Sequence, residues 1–490
     1  MLSLGVAVAV VGCVVRDRIV SPIDKGEDLG PPHLLYGSGP SGSWHYARPG
    51  GLQGGDGADS ATAWELQWAF DHANPGDTVW LLGGDYTGTY RVSVAGTQTQ
   101  PIVFRQAPGR IATLRRDAGF SQRSTPSLHV LPQAEWTEYW DFEITPTTTI
   151  ATRTAPIAGD ELPHPVWNEA SHTKFVNLIL HDGGVAFLND FDGPRAPENV
   201  LISGCLIYNN GWDQSPSVSR PRGAGHALYV KNNSATGLPV VLADNVIFNQ
   251  FGYGIHIYTN AGRGDSLKNI HAKGNISFNN GTPSAYRTSA NLGNLGKVPG
   301  RNLLFERNML YFSPNDLLEP NAGRNLVYRE ADEPPATNST RTRNYVVGGS
   351  PFTVGGAAAD GWTEALSDSV AATPWPGNTV IVRRTAADPN RANVVVYHGS
   401  GPAVVSVDLP SLLAANDSFE VRNAFAFRVV DTAGRYHGPV ELALGLVPPP
   451  PPHGWTAPDP IGAAFTVFVV TKVAPAPTTA ASAPPPRRHR

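Results

Sequence analysis

Three short segments, GVAFLND (184–190), HALYVKN (226–232) and GIHIYTN (254–260), place polar and aromatic residues at every second position. Alternate side chains along a strand point to opposite faces. With Val185, Phe187, Leu228 and Ile257 turned inward, the columns Ala186/Ala227/His256, Leu188/Tyr229/Tyr258 and Asp190/Lys231/Asn260 turn outward. Stacked in register, such strands bring Tyr229, Tyr258, His256, Lys231 and Asp190 into one patch within reach of a single sugar ring. The set suits β-elimination from an acidic polysaccharide. A base, Lys231 or His256, removes the proton beside a uronic-acid carboxylate. A cation neutralises that carboxylate as charge develops, and Tyr229 or Tyr258 donates to the leaving oxygen.

A long insertion, GWDQSPSVSRPRGAGH (211–226), lies between two of these strands and walls one side of a cleft. From it Arg222 can clamp a carboxylate, Trp212 can stack on a sugar face, and Asp213 can ligate calcium through oxygen. His226, at a strand start, is either a hydrogen-bonded structural histidine or part of the site. Plainer readings stand beside each role. Lys231 and Asp190 can be a solvated surface pair, Tyr229 and Tyr258 a stacked pair closing a sheet, and Asn189-Asp190-Phe191-Asp192 a turn rather than a calcium loop. A glycosidase needs two facing carboxylates about 5–9 Å apart. Among the aligned outward positions only Asp190 is acidic, so the pattern favours a lyase or an epimerase over a hydrolase.

Positioning such columns requires a repeating scaffold, and the chain carries one. FVNLILHDGG (175–184), LISGCLIYNNG (201–211), VLADNVIFNQFG (241–252), IHAKGNISFNNG (270–281) and LLFERNMLYF (303–312) are versions of one pattern. Aligned on the residue before the apolar triplet, they put Asn177, Cys205, Asn245, Asn275 and Asn308 in one column. Leu180, Tyr208, Phe248, Phe278 and Tyr311 form a second, and His181, Asn209, Asn249 and Asn279 a third. Irregular repeats of this length, each too short to bury its own face, mark a solenoid. Stacked amides and aromatics are then structural ladders.

Upstream, Thr62-Ala63-Trp64-Glu65 reads as a capping box opening a helix that Asn74-Pro75-Gly76 stops, with Trp64, Leu66, Trp68 and Phe70 to bury. Strands TVWLL (78–82), YRVSV (90–94), PIVFR (101–105) and YWDFEI (139–144) follow. The run NPGDTVWLLGGDYTG…TQPIVFRQAPGR after a helix, with the later NxxFNN-type rungs, resembles the opening and repeats of right-handed parallel β-helix proteins of the pectate-lyase-like superfamily, over about residues 60–350. The resemblance implies fold rather than activity, because one fold hosts many chemistries. The superfamily's calcium-binding carboxylates have no clear match in this sequence.

Of the 490 residues, 51 are Gly and 44 Pro, and only 16% are charged, which suits short strands and tight turns. A net charge of −4 gives no basic footprint for nucleic acid. No apolar run reaches membrane-spanning length. Cys205 reads as a small buried residue. The first 15 residues, MLSLGVAVAVVGCVV, look like part of an export signal, and Val10-Val11-Gly12-Cys13 resembles a lipoprotein box that would lipidate Cys13.

The expected fold is all-β: a right-handed parallel β-helix (61–350) with an N-terminal capping helix, preceded by an irregular lead-in (16–60). A linker (351–385), a small antiparallel β-sandwich (386–473) and a disordered Pro-rich tail (474–490) follow. The expected role is that of an exported, monomeric, carbohydrate-active protein, most simply a polysaccharide lyase on a uronic-acid polymer, with calcium as a possible cofactor. A non-catalytic glycan-binding protein and a uronate epimerase are the alternatives.

Overall fold

The computed structural model describes residues 43–116, 125–146, 153–154, 162–190, 196–214, 223–233, 236–259, 267–284, 290–294, 298–312, 324–327, 334–353, 361–371, 377–399, 403–445, 447–458 and 464–473. The export segment with Cys13, Arg222, Asn260 and the Pro-rich tail lie outside these residues.

Three long parallel sheets of 11, 10 and 9 strands form the body of the protein. The chain visits them in a fixed order: Thr173–Val176 on face 1, Ile179–His181 on face 2, Phe187–Asn189 on face 3, then Val200–Ser203 on face 1 again. Each strand pairs with its counterpart one coil later, as Phe175 does with Ile202 and Leu180 with Ile207. Same-sheet parallel crossovers are right-handed in nearly all proteins, and the coil winds accordingly. Inward positions form one continuous core in which Phe104, Tyr139 and Phe175 stack ring over ring, at 5.7 and 4.8 Å between centroids.

Faces 1 and 2 meet at a tight corner. Asp141, Asn177, Gly204, Asp244, Gly274, Arg307 and Arg343 occupy it with positive φ, the left-handed conformation that Gly, Asn and Asp adopt most readily. The residue after the corner points inward and builds the amide ladder. The Asn245 side chain donates to that of Asn275 (2.9 Å), Asn275 to Asn308 (3.0 Å) and Asn308 to Asn344 (2.9 Å). Asn344 donates in turn to the Asp368 carboxylate (3.0 Å), which accepts and cannot pass the ladder on. At the other end the backbone N–H of buried Cys205 donates to Asn245 (2.9 Å), and burial pushes the Cys205 thiol up to about 12.

The strand register corrects the first repeat by one residue. Leu178, not Asn177, precedes the triplet that pairs with Leu206, and His181, not Leu180, pairs with Tyr208. Asn177 stands instead beside Gly204 in the corner column. The outer aromatic column therefore runs His181, Tyr208, Phe248, Phe278 (4.8, 5.2 and 5.2 Å between successive rings), and Asp182 takes the place expected for His181.

The solenoid is longer than the sequence suggests at both ends. Trp44–Leu52, expected as irregular lead-in, is the first strand of face 1 and pairs with Thr78–Leu81. Trp362–Leu366 and Ser369–Ala371, expected as linker, extend faces 1 and 2. The helix is only Leu66–His72, with Glu65 at its N-cap and no side-chain cap bond. The capping box does not form, because Thr62 turns back to Asp59 and Glu65 accepts from Gln53. Leu66, Ala69 and Phe70 are buried in the solenoid core, with Phe70 against Phe104 at 4.7 Å.

The C-terminal strands begin at Asn378, inside the expected linker, and form a five-stranded antiparallel sheet beside a two-stranded ribbon, Val404–Val407 with Val440–Ala443. One side of the five-stranded sheet shares a core with the ribbon (Val382, Val394, Val396, Val405, Leu442). The other side packs on the outside of face 2, joining Ile381, Val395, Tyr397, Phe465 and Val467 to Leu206, Val246, Phe248, Ile276 and Phe278. The domain thus lies along the flank of the solenoid. Arg383 pairs with the corner Asp244 and passes over Gly274, where a Cβ would sit 1.9 Å from its Nε.

Candidate active site on the third face

Face 3 carries the residues singled out for chemistry. Its pairing aligns Leu188 with Tyr229 and Tyr229 with His256. The third strand is therefore shifted by two residues from the expected alignment, so His256 follows Tyr229 in the outward column and Tyr258 follows Lys231. A shift of two preserves the face, which is why the same side chains still point outward. Ala186 and Ala227, expected outward, belong to the core, and Val185, expected inward, is only half-buried.

The geometry draws a compact aromatic cluster. The His256 ring lies 4.3 Å from His226, 4.6 Å from Tyr253, 5.0 Å from Tyr229 and 5.1 Å from Tyr258. Tyr229 and Tyr258 are 5.8 Å apart, edge to face. His226 is fixed by the Tyr253 backbone N–H, which donates to its Nδ1 (3.0 Å). An accepting Nδ1 leaves the neutral ring's proton on Nε2. Beside the cluster the Lys231 ammonium donates to the Asp190 carboxylate, and both are buried, at 4% and 8% exposure. The pair is not the solvated surface pair of the plain reading. It is a charge pair held away from water, where loss of one partner is costly.

Further along the same face, two groups were missed. His129 bonds Glu169 (2.6 Å) and stacks on Trp167 at 4.9 Å, and the Trp167 indole donates to the Asp190 carbonyl (3.0 Å). The segment VWN pairs with LHV on one side and with FLN on the other, in one register, but these segments are too short and too dissimilar to align by eye.

The insertion residues depart from expectation. Trp212 is 7% exposed and pairs with Ala224 in a short antiparallel ribbon, so it offers no open face for stacking a sugar. Asp213 is buried beside it, its backbone N–H donating to the Arg153 carbonyl (2.8 Å). Among the described residues no three His, Cys, Asp or Glu side chains converge where they could hold a metal ion.

A second polar cluster lies on the outside of face 2, under the C-terminal domain. His181 bonds Glu143 (2.9 Å) through Nε2 and Asp182 (2.8 Å) through Nδ1. Asp182 also receives Arg153 (2.7 Å) and the His453 backbone N–H (2.8 Å), and Glu143 receives Thr113 (2.6 Å) and Arg428. Burial disfavours charge on His181, but bonds to two carboxylates outweigh it and hold the imidazole pKa above its ordinary value. Burial likewise disfavours the charged carboxylates, and the His181 bonds outweigh it, holding both below the usual range. Every member has its charge answered from within, which makes the cluster a clasp between domains.

Three parallel faces, an inward amide ladder and outward polar columns decide the architecture. The chain folds as a right-handed parallel β-helix. No protein-family model matches it. Over 113 residues it is 31% identical to pectate lyase PEL9 of Emericella nidulans, a match covering 20% of this chain and 27% of that relative. The chain therefore aligns with about a quarter of the relative's length. Among solved structures it is similar to pectate lyase Pel9A (14% identity, TM-score 0.48, 69% of this chain and 78% of that one). It is also similar to a rhamnogalacturonan lyase (12% identity, TM-score 0.42, 68% and 88%) and to XylC in complex with xylose (10% identity, TM-score 0.43, 87% and 100%).

Proposed function

We propose that this β-helix protein is a polysaccharide lyase that acts by β-elimination on a uronic-acid-containing polymer outside the cell. The observation that carries the reading is the juxtaposition, on one outward face, of the Lys231–Asp190 pair with the His226/Tyr229/Tyr253/His256/Tyr258 cluster. The local likeness to a pectate lyase supports the same chemistry.

Roles follow from the contacts. Lys231, paired with Asp190, is a cation, and an ammonium has three donors of which Asp190 takes one. It suits neutralising the uronate carboxylate as charge develops, in a site where water is scarce. The base then falls to His256, whose imidazole takes the proton beside the carboxylate. Tyr229 or Tyr258, on either side of His256, gives a proton to the departing glycosidic oxygen. The electron pair of the broken C–H bond forms the new C=C bond, and the C–O bond to the leaving sugar breaks.

The test is to incubate the purified chain with pectate, alginate and glycosaminoglycans, with and without calcium, and follow ultraviolet absorbance of the unsaturated product. Absorbance that rises with wild type and not with His256→Ala supports the reading. Retained glycan with no chromophore from any polymer favours a non-catalytic binder, and exchange of the uronate C5 proton without chain cleavage favours an epimerase.

A further inference from the structure

Face 1 changes character along the solenoid. In its middle coils the outward residues Leu201, Val241 and Ala243 are apolar and covered by Ala387 of the C-terminal domain. In its first coils they are aromatic and cationic. Strand pairing aligns Tyr46 with Trp80, Trp80 with Arg105, and Arg105 with Trp140 in one outward column across four successive strands. Trp44, two residues before Tyr46, is 59% exposed and meets it edge to face at 5.6 Å. Trp80, Arg105 and Trp140 are half-buried. Parallel strands lie about 4.8 Å apart, so Trp80 and Trp140 are separated by roughly 10 Å along the solenoid axis, with a guanidinium between them.

The column is held in place from beneath. Arg105 Nε donates to Asp141 Oδ2 (2.7 Å), and Asp141 Oδ1 accepts from Asn177 (3.0 Å). The guanidinium lies 5.0 Å from the Trp140 ring centroid. The Trp140 indole N–H donates to Glu138 (3.0 Å), whose other oxygen takes buried Lys174 (2.8 Å). Such fixing lowers the ordering cost of binding. It also sets the charge balance. Glu138 is cancelled by Lys174 and Asp141 by Arg105 Nε, so the remaining donors belong to the η-nitrogens of Arg105 and to Arg48, which shares the outward side of its strand with Trp44 and Tyr46.

We propose that the first coils of face 1 form a non-catalytic binding strip for an acidic polysaccharide running along the solenoid axis. Pyranose C–H faces stack on Tyr46, Trp80 and Trp140, and uronate carboxylates meet Arg48 and Arg105. Flat aromatic rings suit the apolar face of a sugar, and arginine suits a carboxylate. The strip lies on a different face from the Lys231 cluster, so it tethers polymer rather than cleaving it. The polymer class rests on the function proposed above; the strip itself does not.

The experiment is affinity electrophoresis of the full chain through gels containing polygalacturonate, alginate or neutral xylan, at low and high salt. Trp80→Ala/Trp140→Ala and Arg105→Gln are compared with wild type, and thermal melts establish that each variant is folded. The expected result is retardation by an acidic polymer, at least tenfold weaker in the double tryptophan variant. Arg105→Gln should weaken retardation and flatten its salt dependence, because it removes a charged contact. Both variants should keep wild-type turnover on short uronate oligosaccharides that cannot span two sites. Wild-type retardation in both variants, or equal retardation by xylan, would overturn the proposal. Strip-dependent retardation without turnover on any substrate would sink the lyase reading and leave the strip standing.

Discussion

The clasp under the C-terminal domain makes stability depend on pH in a direction that can be worked out. Protonated His181 lies between Glu143 and Asp182, with Arg153, Arg428, His453, Thr113 and Tyr208 around them. Its folded pKa is raised above the unfolded imidazole value of about 6.5. A group of that kind contributes stability that is fully present below the unfolded pKa and lost as pH rises through the folded one. Glu143 and Asp182 are shifted down, so their contribution is present above the ordinary carboxylate range and lost as pH falls through their folded values. The clasp is therefore strongest from about pH 5 to about pH 6.5 and weakens toward alkaline pH.

Replacing His181 by Gln removes the charge and keeps one hydrogen bond. Breaking a buried charge pair costs about 3–5 kcal/mol. Because Arg153 and Arg428 still answer the two carboxylates, the loss should sit near the lower limit, about 3 kcal/mol at mildly acidic pH. The assay is urea unfolding of wild type and His181→Gln from about pH 5 into the alkaline range, with a probe in the C-terminal domain. Wild type should lose stability as pH rises, and the variant should start lower and stay flat. Equal wild-type stability at both ends, or the same alkaline slope in the variant, would refute the argument.

Two further outcomes follow from buried partners. Lys231→Met removes the ion-pair partner of the buried Asp190 carboxylate and should destabilise by about 3–5 kcal/mol, whereas Lys231→Met with Asp190→Asn should recover most of that loss; turnover should be lost in both, so activity in the stabilised double variant would remove Lys231 from the mechanism. Asn275→Ala strips the Asn245 backbone N–H and the Leu242 carbonyl of a partner, at about 1–3 kcal/mol for each stranded group. Denaturant melts should show a loss of about 2–6 kcal/mol, and a loss under about 1 kcal/mol would mean the ladder is decorative.

Much of the scaffold was legible because a solenoid writes its contacts into the sequence at a repeating interval. Asn245, Asn275 and Asn308 were recognisable as a ladder, and the coordinates hold them amide to amide. The first repeat slipped because Asn serves two purposes here. It bonds inside the ladder, and it also tolerates positive φ at the corner, so Asn177 could be mistaken for a rung when it belongs beside Gly204. The two-residue slip at His256 arose because a strand shifted by two shows the same face.

Burial of the site was not legible, since Lys231 and Asp190 lie 41 residues apart in a chain whose coils vary in length, and Trp212 looks exposed in a Gly/Pro-rich insertion. Nor was the flank docking of the C-terminal sheet. Its signal is the apolar outer column Val246, Phe248, Ile276 and Phe278, which reads equally well as ordinary core until the inward residues are assigned.

The central claim is that face 3 removes a proton beside a uronate carboxylate. The most direct measurement is single-turnover formation of the unsaturated product by wild type and His256→Ala on the best acidic polymer. The account predicts a chromophore from wild type and a loss of at least a hundredfold in the variant, the lower range for a general base. An undiminished rate in His256→Ala, or cleaved polymer carrying no unsaturated end, would contradict it.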